Sequence, residues 1–135
     1  MKTTPTTFMT KLITLVFLSV LSASIFAGND FRKMSQQELL QNENEKLLIL
    51  DVRTVEEYQN GHVEDAVNLP VANISESINM FNDKDQKIVV YCRSGRRAGN
   101  ALQFLTDNGF TNLYHLEGDM SAWEKADLPL SKPED

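Results

Sequence analysis

The chain has 135 residues, with 13 Lys and Arg against 19 Asp and Glu, a net charge of −6 near neutrality. An acidic surface repels phosphate, which argues against nucleic acid and anionic membranes as partners. One cysteine allows no internal disulfide, and one cysteine with two histidines does not make a zinc site, so the domain rests on its core alone.

Residues 1–27 contain no acid, and Lys2 and Lys11 are their only charges. The apolar run Leu12–Leu21 is followed by small residues through Ala27, the pattern of a secretory signal peptide. Leu12–Ala27 is 16 residues long, short of the roughly 20 that a membrane span needs. Cleavage is expected after Ala27, with Ser24 as the competing site and an uncleaved anchor as the alternative. Once cleaved, the protein is expected to have no membrane attachment. Residues 28–135 remain, enough for one domain with a core over about 31–130. Without the two leader lysines the net charge is −8. A monomer is expected.

The domain alternates strand and helix signals. Phe31–Met34 reads as a first strand. Ser35-Gln36-Gln37-Glu38 is a capping box that opens a helix to about Gln41. Leu47–Leu50 is a continuous apolar run, as expected for a strand covered on both faces. Thr54-Val55-Glu56-Glu57 is a second capping box, for a short helix ending at Asn60-Gly61. Ala66–Leu69 is a brief strand stopped by Pro70. Ile74, Ile78 and Phe81 mark one face of a helix over 73–81. Lys87–Tyr91 reads as the central strand. Ala98, Ala101, Leu102 and Leu105 then fall at helical spacing, with Gly109 placed as a C-cap. Leu113–Leu116 is the last strand, and Gly118 turns the chain into a helix carrying Met120 and Trp123. The tail from Ser131 is polar and expected to be loose. This alternation predicts an α/β fold, a mostly parallel sheet with helices on both faces.

The chemistry concentrates in Cys92-Arg93-Ser94-Gly95-Arg96-Arg97, the turn between the central strand and its helix. Such a loop aims backbone N–H groups and the positive end of the helix dipole at its contents. With three arginines close by, both effects favour a thiolate, which makes Cys92 a candidate nucleophile. The alternative is a small buried hydrophobe. The position favours the nucleophile, because ligands of open α/β sheets bind at the carboxyl ends of strands.

These residues resemble the active-site loop of the rhodanese (sulfurtransferase) family. Asp51-Val52-Arg53 and Glu57–Val63, continuing into Ala66–Pro70, resemble a second recurring segment of that family. Leu116-Glu117-Gly118, Trp123 and Leu128-Pro129-Leu130 resemble its closing segment. The resemblance implies a rhodanese-like fold with a five-strand sheet, and chemistry without a metal or organic cofactor. A leader followed by a lone domain resembles the small periplasmic rhodaneses of bacteria, so a periplasmic location is expected. Three places depart from the family pattern: Glu64-Asp65 stands where a glycine often precedes Ala66, Asp119 follows Gly118 where a second glycine is common, and Lys125-Ala126-Asp127 replaces a glycine before Leu128. Asp119 borders the pocket in the family and would add negative charge beside an anion site.

An arginine-lined bowl suits a small oxyanion, and a thiolate attacks soft electrophiles. Thiosulfate is both an anion and a carrier of transferable sulfur. The expected partners are therefore thiosulfate and a thiophilic acceptor such as cyanide or a thiol, joined by a persulfide on Cys92. Arg93 and Arg96 attract and orient the anion or are simply solvated. Ser94 donates a hydrogen bond, and Gly95 permits the turn. Arg97 contacts substrate or ties the loop to a carboxylate. Asp51 and Arg53 read as an ion pair, with substrate contact as the minor alternative. His62 reads as a loop brace rather than a base, since an activated cysteine needs none. His115 has no evident partner. A Cys-x5-Arg phosphatase loop is the rival, but its arginine position is occupied by Ala98. Two further rivals are a persulfide carrier for one protein partner and a non-catalytic binding module.

Overall fold

The computed structural model describes residues 30–43 and 46–133, so the expected signal peptide lies outside the described residues. The elements in chain order are β1 (Lys33–Met34), α1 (Gln36–Leu40), β2 (Leu48–Asp51), α2 (Val55–Gln59), β3 (Val67–Asn68), α3 (Ile74–Ser77), β4 (Ile88–Tyr91), α4 (Arg96–Asp107), β5 (Leu113–Leu116) and α5 (Asp119–Lys125). The strands form one sheet in the order β1-β5-β4-β2-β3, and every adjacent pair is parallel. The sheet is thus wholly rather than mostly parallel. Successive strands are joined by helical segments, and no two-residue hairpin is available to reverse direction.

β4 is central, and all four of its side chains are buried. Side chains alternate across a strand, so Ile88, Val90 and Cys92 face one layer while Val89 and Tyr91 face the other. The first layer is filled by Ile74 of α3 and by Ala98, Ala101, Leu102 and Leu105 of α4. The second is filled by Leu39 of α1 and by Met120 and Trp123 of α5. Each fully buried Leu or Ile contributes about 1.5–3 kcal/mol of burial free energy, which anchors α4 and the loop before it.

The Thr54 capping box closes in both directions, while at Ser35 the hydroxyl accepts from Glu38 N–H at 3.1 Å. Three expectations are corrected. Leu48 and Ile49 are only half-buried, because a concavity of about 740 Å³ opens beside them. Its lining includes Leu40, Val63, Val67 and Pro129 but no cysteine, histidine or cation. The helix over 73–81 is instead a 3₁₀ turn, the single turn α3 and a second 3₁₀ turn ending at Met80. Asn73, Ser75, Ser77 and Asn79 have side chains that compete for backbone hydrogen bonds, which weakens a longer α-helix. Finally, Ser131 is not loose. It exchanges two backbone hydrogen bonds with His62, at 2.9 and 2.8 Å, and closes the tail across the domain.

Asp65, Asp119 and Asp127 all have positive φ, at 62°, 54° and 52°. Each lies within one of the three stretches that depart from the family's glycines, Glu64-Asp65, Asp119 and Lys125-Ala126-Asp127. Aspartate is among the few side chains that enter the left-handed region at modest cost, so the turns persist without glycine.

Candidate active site

Cys92 ends the alternation of β4 and is 1% exposed. Its surroundings differ from those of an inert core thiol. The backbone N–H of Gly95 donates to Sγ at 3.0 Å, so the loop curls back over the sulfur. That curl needs Gly95 at φ 108°, where a side chain is strained. An added Cβ would also meet Asp119 Oδ2 at 3.1 Å and His115 Cε1 at 3.2 Å. α4 starts at Arg96, so its free N–H groups and positive dipole end lie next to the sulfur.

The three arginines divide. Arg93 and Arg96 are exposed, as is Ser94, and no carboxylate pairs with either arginine among the described residues. They are available to a dissolved anion. Arg97 instead makes a bidentate pair with Glu57 of α2, at 2.7 and 2.9 Å. Hydrogen bonding to Glu57 raises the Arg97 pKa, with a smaller contribution from the nearby Cys92. Arg97 thus clamps the loop to α2.

The same pair holds the Glu57 carboxyl at about 2, below its ordinary 4.5, chiefly through the Arg97 hydrogen bond. A depressed carboxyl stabilises the fold above its ordinary pKa and loses that contribution as pH falls from 4.5 towards 2. Glu57→Gln should therefore lower stability by about 1 kcal/mol near neutrality, the pair being partly exposed, and by almost nothing near pH 2. Urea midpoints of both proteins across this range check the expectation. A constant difference at all pH values would contradict it.

Below the loop lies a buried network. Asp51 is 0% and Arg53 3% exposed. Arg53 Nη2 donates to Asp51 Oδ2 at 2.7 Å and to the Gly61 carbonyl at 2.8 Å, and Nε spans both carboxylate oxygens. Burial opposes the charge on Arg53, but Asp51 outweighs it and the pKa is raised. The Tyr91 hydroxyl donates to Asp51 at 2.7 Å and accepts from Val63 N–H at 3.1 Å. Burial, then Asp51, pushes that phenol well above its usual range. His62 is buried, stacks on Tyr58 with ring centroids 3.7 Å apart, and bonds the Tyr58 carbonyl through Nδ1 at 2.9 Å. These contacts brace the loop between α2 and β3.

Two residues gain a role that their sequence positions did not reveal. Asp119 is 3% exposed, and its Oδ1 accepts the backbone N–H of Cys92 at 2.9 Å. Both of its oxygens lie 3.0 Å from His115 Nε2, which supplies the missing partner for His115. His115 lies in β5 and Asp119 opens α5, so their i, i+4 spacing carries no helical signal. The N–H groups of Met120 and Ser121 meanwhile bond the carbonyls of Cys92 and Arg93, each at 3.0 Å. Gly118 makes this grip possible: at φ 73° a Cβ would collide with Ala122. Among the described residues, no group of three His, Cys, Asp or Glu is arranged to hold a metal ion.

A model of the rhodanese-like domain matches residues 35–126. A thiosulfate sulfurtransferase, GlpE, of Shewanella oneidensis is 35% identical over 99 residues, covering 73% of this chain and 97% of its own. A tRNA uridine(34) hydroxylase of Sodalis glossinidius is 40% identical over 76 residues, 53% of this chain but 22% of that larger protein. Among solved structures, a rhodanese-like domain protein from Staphylococcus aureus superposes with a TM-score of 0.68 at 28% identity, over 77% of this chain and all of its own.

Proposed function

The chain belongs to the rhodanese-like family, and from that premise we propose that it is an exported thiosulfate sulfurtransferase working through a persulfide on Cys92. The observation that carries the reading is the Gly95 N–H directed at Sγ from 3.0 Å, at the mouth of α4 and beside Arg97. That setting suits a sulfur that carries negative charge both before and after transfer.

The steps balance without a cofactor. The Cys92 thiolate attacks the outer sulfur of thiosulfate and forms a new S–S bond. The S–S bond of thiosulfate breaks, and sulfite leaves with the electron pair. The persulfide anion on Cys92 then occupies the same bowl of N–H groups. Cyanide attacks its outer sulfur, thiocyanate departs, and the thiolate returns. The exposed guanidinium groups of Arg93 and Arg96 draw in the anions. The leader over residues 1–27 supports a periplasmic destination. The hydroxylase relatives share this domain as a small part of a larger protein, and a net charge of −6 disfavours RNA as a partner.

Initial rates of thiocyanate formation, varied in both thiosulfate and cyanide, test the proposal. Parallel double-reciprocal lines are expected, since sulfite departs before cyanide enters. Intersecting lines would contradict a persulfide intermediate. Persulfide formation without turnover would assign a carrier role instead.

A further inference from the structure

The concavity beside β2 follows from how that face of the sheet is roofed. Its helices α1 and α5 have five and seven residues, so they are only about 8 and 10 Å long. They leave the β2–β3 side open. Ile49 is half-buried, and Val67 and Leu40 are 50% and 51% exposed. Trp123 and Pro129 form a further wall, joined by the bond from Trp123 Nε1 to the Pro129 carbonyl at 2.9 Å. The backbone exchange between Ser131 and His62 ties that wall back to the domain, so the space is preformed.

The volume of about 740 Å³ lies within the roughly 300–1,000 Å³ of small-molecule sites. Most of the lining side chains are apolar, and every charged one is an acid: Glu43, Glu64 and Asp65. All three are exposed, and none is in an ion pair among the described residues. Such a rim repels sulfur anions. A second copy of the chain seated here would set acid against acid. A ligand with an apolar body and one cationic end suits both the wall and the rim. The cleft also lies away from the cysteine. Leu48 and Ile49 open β2 and Gln86 precedes β4, whereas Cys92 follows the last residue of β4.

We propose that this cleft is a second binding site, for a small amphiphilic cation: an amine or quaternary ammonium carried on an alkyl or aryl group. The apolar body lies against Ile49, Val67 and Trp123, and the charge sits at the rim among Glu43, Glu64 and Asp65. Nothing in this binding uses Cys92, so it stands apart from the sulfurtransferase reading.

Trp123 is the only tryptophan of the chain and lines the cleft, so its emission reports occupancy. Octyltrimethylammonium is the probe and octyl sulfate its anionic match, both added to the full-length protein below micelle-forming concentrations. The ammonium should give a saturable shift and bind at least about tenfold more tightly than the sulfate, since each rim charge helps one and hinders the other. Val67→Arg and Leu40→Arg each place a cation at an exposed position on the cleft, and either should abolish the shift. The combination Glu43→Gln, Glu64→Gln and Asp65→Asn should weaken ammonium binding about fivefold, at the energies of exposed charge pairs. Asparagine tolerates the left-handed backbone at residue 65. No saturable response, equal affinity for the two head groups, or a shift that survives in both arginine variants would overturn the proposal. A basic amphipathic peptide that shifts Trp123 where octyltrimethylammonium does not would also overturn it, and would assign the cleft to a protein partner.

Discussion

Cys92→Ser is expected to end sulfur transfer, lowering thiocyanate formation by at least about 10³-fold while the domain stays folded. Serine is the informative replacement because its oxygen can still accept the Gly95 N–H that now reaches Sγ at 3.0 Å. The buried site, 1% exposed, keeps a small polar group with a donor already aimed at it. What disappears is the soft nucleophile. A hydroxyl stays protonated near neutral pH and does not attack sulfane sulfur. Turnover and the thermal midpoint should be measured on the same sample. Lost turnover with an unchanged midpoint is the expected pair. Turnover above a few per cent of wild type would place the chemistry elsewhere, although the chain has no second cysteine.

Arg53→Ala should be the most damaging single change to stability away from the hydrophobic core, at about 3–5 kcal/mol. Asp51 is completely buried, and Arg53 supplies its neutralising charge through three side-chain contacts. Truncation leaves that carboxylate without its counter-charge and also frees the buried Gly61 carbonyl. Tyr91 retains its bond to Asp51 but cannot neutralise it. The loss would take a large share of the roughly 5–15 kcal/mol that holds a domain folded. Because Tyr91 directly precedes Cys92, damage here also reaches the loop. Urea unfolding gives the number, and Asp51→Asn combined with Arg53→Met gives the control. The double variant removes both charges and should be less destabilised than Arg53→Ala alone. A single-variant loss below about 1 kcal/mol would mean that water solvates the pair, as at exposed ion pairs.

The strand and helix pattern was legible because hydrophobic periodicity carries it. The apolar residues of β4 and the helical spacing of α4 located the central strand and the loop between them. The loop's chemistry was legible because Cys92, Gly95 and the arginines are consecutive. Longer-range partnerships were not. Glu57 and Arg97 are 40 residues apart, and only the fold makes one the clamp of the other. The bond from the Tyr91 hydroxyl to Asp51 likewise spans 40 residues and only the fold brings the two together. His115 and Asp119 stand at helical spacing across a strand-to-helix turn, where no regular period applies. Asp119 was placed at the pocket border by the resemblance, but its burial and its bond to the Cys92 N–H could not be seen locally. The 73–81 segment misled because its apolar spacing was helical while its asparagines and serines favoured turns.

The persulfide itself is the most direct object of measurement. Full-length protein treated with thiosulfate, then freed of small molecules, should gain the mass of one sulfur atom. Peptide mapping should place it on Cys92, and cyanide should remove it as thiocyanate. An unmodified Cys92 in protein that still turns over thiosulfate would contradict persulfide catalysis.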